Sequence, residues 1–138
     1  MASLNLDSAP RKTHSTIESL YNFLTDFRNF PAVLPAEKIA DFKADEQSCS
    51  FVIQGIAALK VQLENKVPNS EILYNITGPA NSMIKLTVLL TGEPDQPGTS
   101  DVQMAAHLNP FLKAMAEKPL RTLVNTIALK ISELEIKP

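Results

Sequence analysis

Apolar and polar residues alternate with period two through most of the chain, and give way to helical spacing near each end. Leu4 and Leu6 stand against Ser3, Asn5 and Asp7, which predicts a short half-buried strand over 3–8. Ala9-Pro10 ends it. Ser15, three residues before Glu18, reads as a capping box at a helix start. Ile17, Leu20, Tyr21, Leu24 and Phe27 then recur at helical spacing, so the helix is expected from Thr16 to about Asp26. Phe30, Val33 and Leu34, among Asn29, Pro31 and Pro35, predict a second short helical turn.

The middle of the chain reads as strands. Lys38 to Asp45 is a weak one, with Ala40, Phe42 and Ala44 on one side. Cys49, Phe51 and Ile53 alternate with polar residues over 48–55. Ala57, Leu59, Val61 and Leu63 do so over 57–65, the cleanest alternation in the sequence. Gly55 is expected to form the tight turn between them, and Pro68-Asn69-Ser70 the next. Ile72, Tyr74 and Ile76 make another strand, Ile84 to Leu90 another, and Val102 to Leu108 the last, after the turn-rich run from Gly92 to Gly98. Short turns and alternation together predict an antiparallel meander with one face buried.

Asn109-Pro110 combines an N-cap with proline at the first helical position. The apolar set Phe111, Leu112, Met115, Leu120, Leu123, Val124, Ile127, Ile131 and Leu134 is expected to form one stripe covering the sheet. Pro119 lies inside it and predicts a kink or a split near Ala116. The predicted class is α+β: one domain over 1–138, with a curved antiparallel sheet and a long C-terminal helix.

Composition narrows the function classes. The 138 residues are 44% hydrophobic and 20% charged, which suits a globular protein with one core. The net charge of -2 lacks the basic excess of an obligate nucleic-acid binder. No apolar run approaches the roughly 20 residues of a membrane-spanning helix. Met1 to Pro10 does not read as a secretory signal, so a cytoplasmic setting is expected. Gly55, Gly78, Gly92 and Gly98 are too far apart for a phosphate-binding loop, and no cofactor is expected. The single Cys49, on the buried parity with Phe51 and Ile53, reads as a small apolar core residue. With His14 and His107 it has no metal-site spacing. His107 alternates away from the core face, and both histidines read as ordinary surface or partly buried residues. The charges of Lys113 to Arg121, of both signs, read as a solvated face rather than a phosphate or membrane patch.

The order of elements, the segment Ile17-Glu18-Ser19-Leu20-Tyr21-Asn22-Phe23-Leu24-Thr25-Asp26-Phe27-Arg28-Asn29-Phe30, the strand Cys49 to Gly55 and the entry Leu108-Asn109-Pro110 resemble the START-like, helix-grip superfamily. This superfamily includes polyketide cyclase/dehydrase-like, birch-pollen-allergen-like and bacterial SRPBCC-type proteins. The resemblance covers nearly the whole chain. It implies a sheet wrapped around the C-terminal helix, and often a cavity between them for a lipid, sterol, quinone or polyketide. On that reading Phe51, Ile53, Leu59, Val61, Tyr74, Ile84, Leu86, Met104, Phe111, Met115 and Leu123 line the cavity.

Three functions follow. A noncatalytic binder of a small apolar molecule needs an open cavity and few polar groups. A cyclase or dehydratase needs a titratable group inside it, for which Tyr74 or His107 is the candidate. A protein-interaction module has the same interior filled by its own side chains. The missing catalytic constellation favours the first. The oligomeric state is left open.

Overall fold

The computed structural model describes residues 2–54, 57–78 and 82–136. Strands β1 (Ala2–Asp7) and β2 (Arg11–Thr16) come first. Helix α1 (Ile17–Leu24) and 3-10 turns over Phe27–Ala32 and Ala36–Lys38 follow. Six strands come next: β3 (Ile39–Ala44), β4 (Ser48–Ile53), β5 (Ala57–Val67), β6 (Glu71–Thr77), β7 (Met83–Thr91) and β8 (Pro97–Leu108). Helix α2 (Pro110–Glu133) covers the sheet. Among the described residues the sheet is antiparallel, in the order β1-β8-β7-β6-β5-β4-β3, with β2 also paired to β8.

The alternation of the sequence becomes rows of side chains on the inner face. One row runs Leu4, Ala106, Ile84, Ile76, Val61, Cys49 across six neighbouring strands. The next runs Leu6, Met104, Leu86, Tyr74, Leu63. All of these are buried except Leu63, which is half-buried. They form one contiguous core with α1, the first 3-10 turn and the second half of α2.

Several local expectations change. Strand β2 was not predicted. Its inward residues are Thr13 and Ser15, which hydrophobicity does not flag, yet both are buried. Thr13 Oγ1 accepts from Gly98 N–H at 2.9 Å and donates to Ser15 C=O at 3.0 Å. Ser15 is therefore a strand residue, and the N-cap of α1 is Thr16, whose hydroxyl accepts from Ser19 N–H at 3.2 Å. The helix stops at Leu24, short of Asp26, because Asp26 caps the following 3-10 turn through Arg28 N–H at 3.0 Å. The amides of Ile17 and Glu18 are taken by Gln96 and Pro94 carbonyls of the β7–β8 turn. That turn packs so closely that a Cβ on Gly98 would sit 2.2 Å from Thr91 O and 2.9 Å from Ile17 Cδ1. Strand β8 begins at Pro97, five residues before the expected start at Val102.

In β3 the register shifts between Ala40 and Lys43, and Asp41 takes φ 54°. This bulge breaks the expected parity. Ala40 and Ala44 are exposed, while Ile39 and Phe42 are half-buried. Phe42 stacks on Phe51, ring centroids 6.2 Å apart. The turn expected at Gly55 lies outside the described residues. Helix α2 runs unbroken through Pro119, and Asn109 caps it by accepting from Leu112 N–H at 2.8 Å. Proline removes one amide donor, and the buried residues that begin at Leu120 hold the helix past it.

Candidate functional site

The seam between α2 and the concave face of the sheet is the place to look. The buried residues of α2 are Leu120, Leu123, Val124, Ile127, Ala128, Ile131 and Ser132. They pack on β8, β2 and β1. Phe111 stands nine residues before Leu120. At 3.6 residues per turn that spacing is about 180° around the helix, so the two face opposite ways. Phe111 is 73% exposed and Met115 60%. Both were expected to line the cavity, and neither is in phase with the seam. A tally of apolar residues hides this, because it does not follow phase over two and a half turns.

The other nine candidates, Phe51, Ile53, Leu59, Val61, Tyr74, Ile84, Leu86, Met104 and Leu123, come together on the inner face and its helix. Each is between 1% and 4% exposed to a water-sized sphere. A void large enough for a ligand would leave such surface on the residues around it. The space is filled by side chains that were not among the cavity-lining candidates. Phe27 and Phe30, on the first 3-10 turn, meet Tyr74 edge-on with centroids at 6.0 and 5.2 Å. The Tyr74 hydroxyl donates to Leu24 C=O at 2.5 Å, at the end of α1. Burial pushes its pKa far up, with smaller contributions from Cys49 and Tyr21. Tyr74 is thus a structural donor and is not poised to give up a proton.

A void of about 20 Å3 remains where α2 crosses the tip of the sheet. It lies among Pro35, Lys38, Ile53, Gln54, Pro119, Thr122 and Leu123. That is room for about one water, whereas small-molecule sites occupy about 300–1,000 Å3. A larger cleft of about 490 Å3 opens on the outside, between Thr16, Ser19 and Phe23 of the α1 region, Pro94 and Ile136.

Other chemistry is sparse. Cys49 is free and buried, and desolvation, helped by the Asp45 charge, pushes its thiol up to about 12. His107 lies exposed on the outer face, its Nδ1 3.5 Å from Ser3 Oγ, and His14 is exposed on β2. An acidic pair sits on the same outer face. Asp101 is pushed up by burial and by Asp7, while Asp7 is held down by its hydrogen bond with Asp101 and by the Ala9 amide. Among the described residues no cluster of His, Cys, Asp and Glu could hold a metal ion. No helix among them is long and apolar enough to cross a membrane.

A sheet gripping one long helix, with a short helical pair after the first strands, is the helix-grip, START-like fold. Solved structures agree. A Rhizobium leguminosarum protein of uncharacterised function superposes with TM-score 0.64 at 13% identity, over 94% of this chain and 95% of its own. A Staphylococcus aureus protein of unknown function gives 0.63 at 10%, over 94% of each chain. A point mutant of Thalictrum norcoclaurine synthase, in complex with a transition-state analogue, gives 0.62 at 11%, also over 94% of each. At such identities the likeness is one of fold. No family model and no curated protein matches the chain in sequence.

Proposed function

We propose that the protein is a noncatalytic binder of a small apolar molecule of lipid, quinone or polyketide kind, working in the cytoplasm. The molecule enters at the void beside Leu123, between the tip of β4 and the middle of α2. One observation carries this reading: the packing of α2 changes abruptly along its length. From Leu120 onward one face is fully buried, whereas no residue from Pro110 to Pro119 is. The first half of the helix is therefore the part of the lid that costs least to displace. The rim there is mostly apolar (Pro35, Ile53, Pro119, Leu123), with Lys38, Gln54 and Thr122 as its few polar groups, the balance expected of an apolar-ligand site. The helix-grip fold supports the reading by analogy.

The test is native mass spectrometry on gently purified protein, followed by titration with a fluorescent fatty-acid analogue. A reproducible extra mass that leaves on denaturation, or saturable uptake of the probe, supports a binder. Bare chain together with no saturable uptake favours the second reading, an interaction module with a filled core. The near-zero exposure of eight inner-face residues and of Leu123 on α2 speaks for that alternative. The cyclase or dehydratase reading has little left, since Tyr74 is committed to Leu24 and His107 faces outward.

A further inference from the structure

We propose that the corner between β1 and β2 is a proton-operated latch: Asp7 and Asp101 share one proton in mildly acid solution, and the Ser8 hydroxyl then turns from Asp101 to close the corner. The corner is built around Ser8. Its N–H donates to Val102 C=O at 2.9 Å, and its Oγ accepts from Val102 N–H at 3.0 Å. The hydroxyl has one hydrogen and two acceptors in reach, Asp101 Oδ1 at 3.3 Å and Ala9 C=O at 3.1 Å. Ala9 takes φ 67°, a left-handed setting that a residue other than glycine holds only with support. Asp7 Oδ1 gives part of that support by accepting from Ala9 N–H at 2.8 Å. Charge at Asp101 decides where the Ser8 hydrogen goes. An ionised carboxylate attracts it, and a protonated one releases it to Ala9 C=O.

The two carboxyl groups are held together by Gln103, whose Nε2 donates to Asp7 Oδ2 at 3.3 Å and to Asp101 Oδ2 at 3.2 Å. Like charges so placed favour keeping one proton between them. Asp101, half-buried, is pushed up by burial and by Asp7, whereas Asp7 is held down by Asp101 and by the Ala9 amide. Asp101 therefore adds stability that is present below its unfolded pKa and lost as pH rises through its raised folded one. Asp7 adds stability that is lost as pH falls through its lowered one, so the pair holds best between the two. The surrounding charges leave this intact. Thr87 and Leu89 of β7, opposite Gln103 and Asp101, are uncharged, and Lys85, opposite Ala105, is bound to Glu64. Glu71 of β6, opposite Leu89, adds a negative charge to the row of Asp101. Arg11 and Lys12 of β2, opposite Ser100 and Thr99, are exposed and make no ion pair among the described residues. His107 lies six residues along β8, about 20 Å away. From the corner, β2 leads to Ser15, whose hydroxyl holds Leu134 and Ile136 beyond the end of α2. The latch sets how firmly that strand is anchored, whether or not the interior takes a ligand.

The experiment follows the carboxyl carbons of Asp7 and Asp101 in the full chain by NMR, from about pH 2 to about pH 8. We expect two coupled steps, with Asp101 above the ordinary 3.8 and Asp7 below it. Hydrogen exchange, corrected for the intrinsic rate at each pH, reads the latch itself. Protection of the Ser8 amide should fall by about threefold or more between about pH 4 and pH 7, the worth of one weak hydrogen bond. Asp101→Asn cannot hold the proton, so its Ser8 protection should be flat over that range and Asp7 should titrate in a single step. Asp7→Asn should bring Asp101 back down toward 3.8, which tests the pair independently of the first variant. The proposal is overturned if both groups titrate singly at the ordinary value, or if Ser8 protection in the wild type does not change with pH. It is overturned equally if Asp101→Asn shows the same pH dependence as the wild type.

Discussion

Replacing Phe111 and Leu120 by alanine, one at a time, tests the rotational setting of α2. Both are large apolar residues of the same helix, and simple counting puts both in its buried stripe. The structure gives Leu120 1% exposure and Phe111 73%. Leu120→Ala removes buried methyl groups and leaves a cavity under the helix, at a cost of about 2–5 kcal/mol. An unfolding entropy of about 2.1 cal/mol/K per residue makes 1 kcal/mol worth roughly 3.5 °C for a chain of this length, so the melting temperature should fall by roughly 7–17 °C. Phe111→Ala removes a ring already in water and should stay within about 0.5 kcal/mol, or roughly 2 °C. Urea denaturation followed by far-UV circular dichroism, with a shared m-value, reads both. A Phe111→Ala loss above about 2 kcal/mol would mean that the ring is buried, and the assignment of helix faces would be wrong.

Four further outcomes are expected. Tyr74→Phe strands the Leu24 carbonyl and should cost about 1–3 kcal/mol in urea, with no effect from raising pH to 9. Ser15→Ala removes the hydroxyl that donates to Leu134 C=O at 2.5 Å and accepts from Ile136 N–H at 2.8 Å. It should destabilise by about 1–3 kcal/mol, and hydrogen exchange at Ile136 should quicken. Cys49 should resist a water-soluble thiol reagent at pH 8 until denaturant is added, because it is buried and its thiol is pushed up to about 12. Asp45 is held below its ordinary 3.8, chiefly by the Gln47 and Ser48 amides that donate to it. A depressed carboxylate contributes stability that is present above its unfolded pKa and lost as pH falls through the folded one. The stability gap between wild type and Asp45→Ala should therefore be constant near neutrality and close below about pH 4; a gap that widens in acid would contradict this.

What the sequence made legible was the sheet, and it did so through alternation. Cys49, Phe51, Leu59, Val61, Ile84, Leu86 and Met104 lie on the inner face where period two places them. Three features escaped the reading, two because hydrophobicity does not record them and one because helix phase was not followed. Strand β2 buries hydroxyls that are satisfied by the backbone, so its inward side looks polar. Asp41 shifts the parity of β3 by a bulge, which no hydrophobic pattern records. The phase of Phe111 against Leu120 needed the helix followed turn by turn. The candidate site was legible only as a list of inward residues. Whether they enclose space depended on Phe27 and Phe30 reaching Tyr74, a contact between segments more than forty residues apart.

Because α2 follows every strand in the chain, the ribosome delivers the concave face of the sheet before its cover. The first strand must also wait, since Leu4 pairs with Ala106 and Leu6 with Met104. Until synthesis passes residue 131, a surface rich in Ile, Leu and Val is open to any other nascent chain. Contacts so distant in sequence also close slowly. Translation speed and chaperone supply should therefore govern the yield of folded protein more than its final stability does.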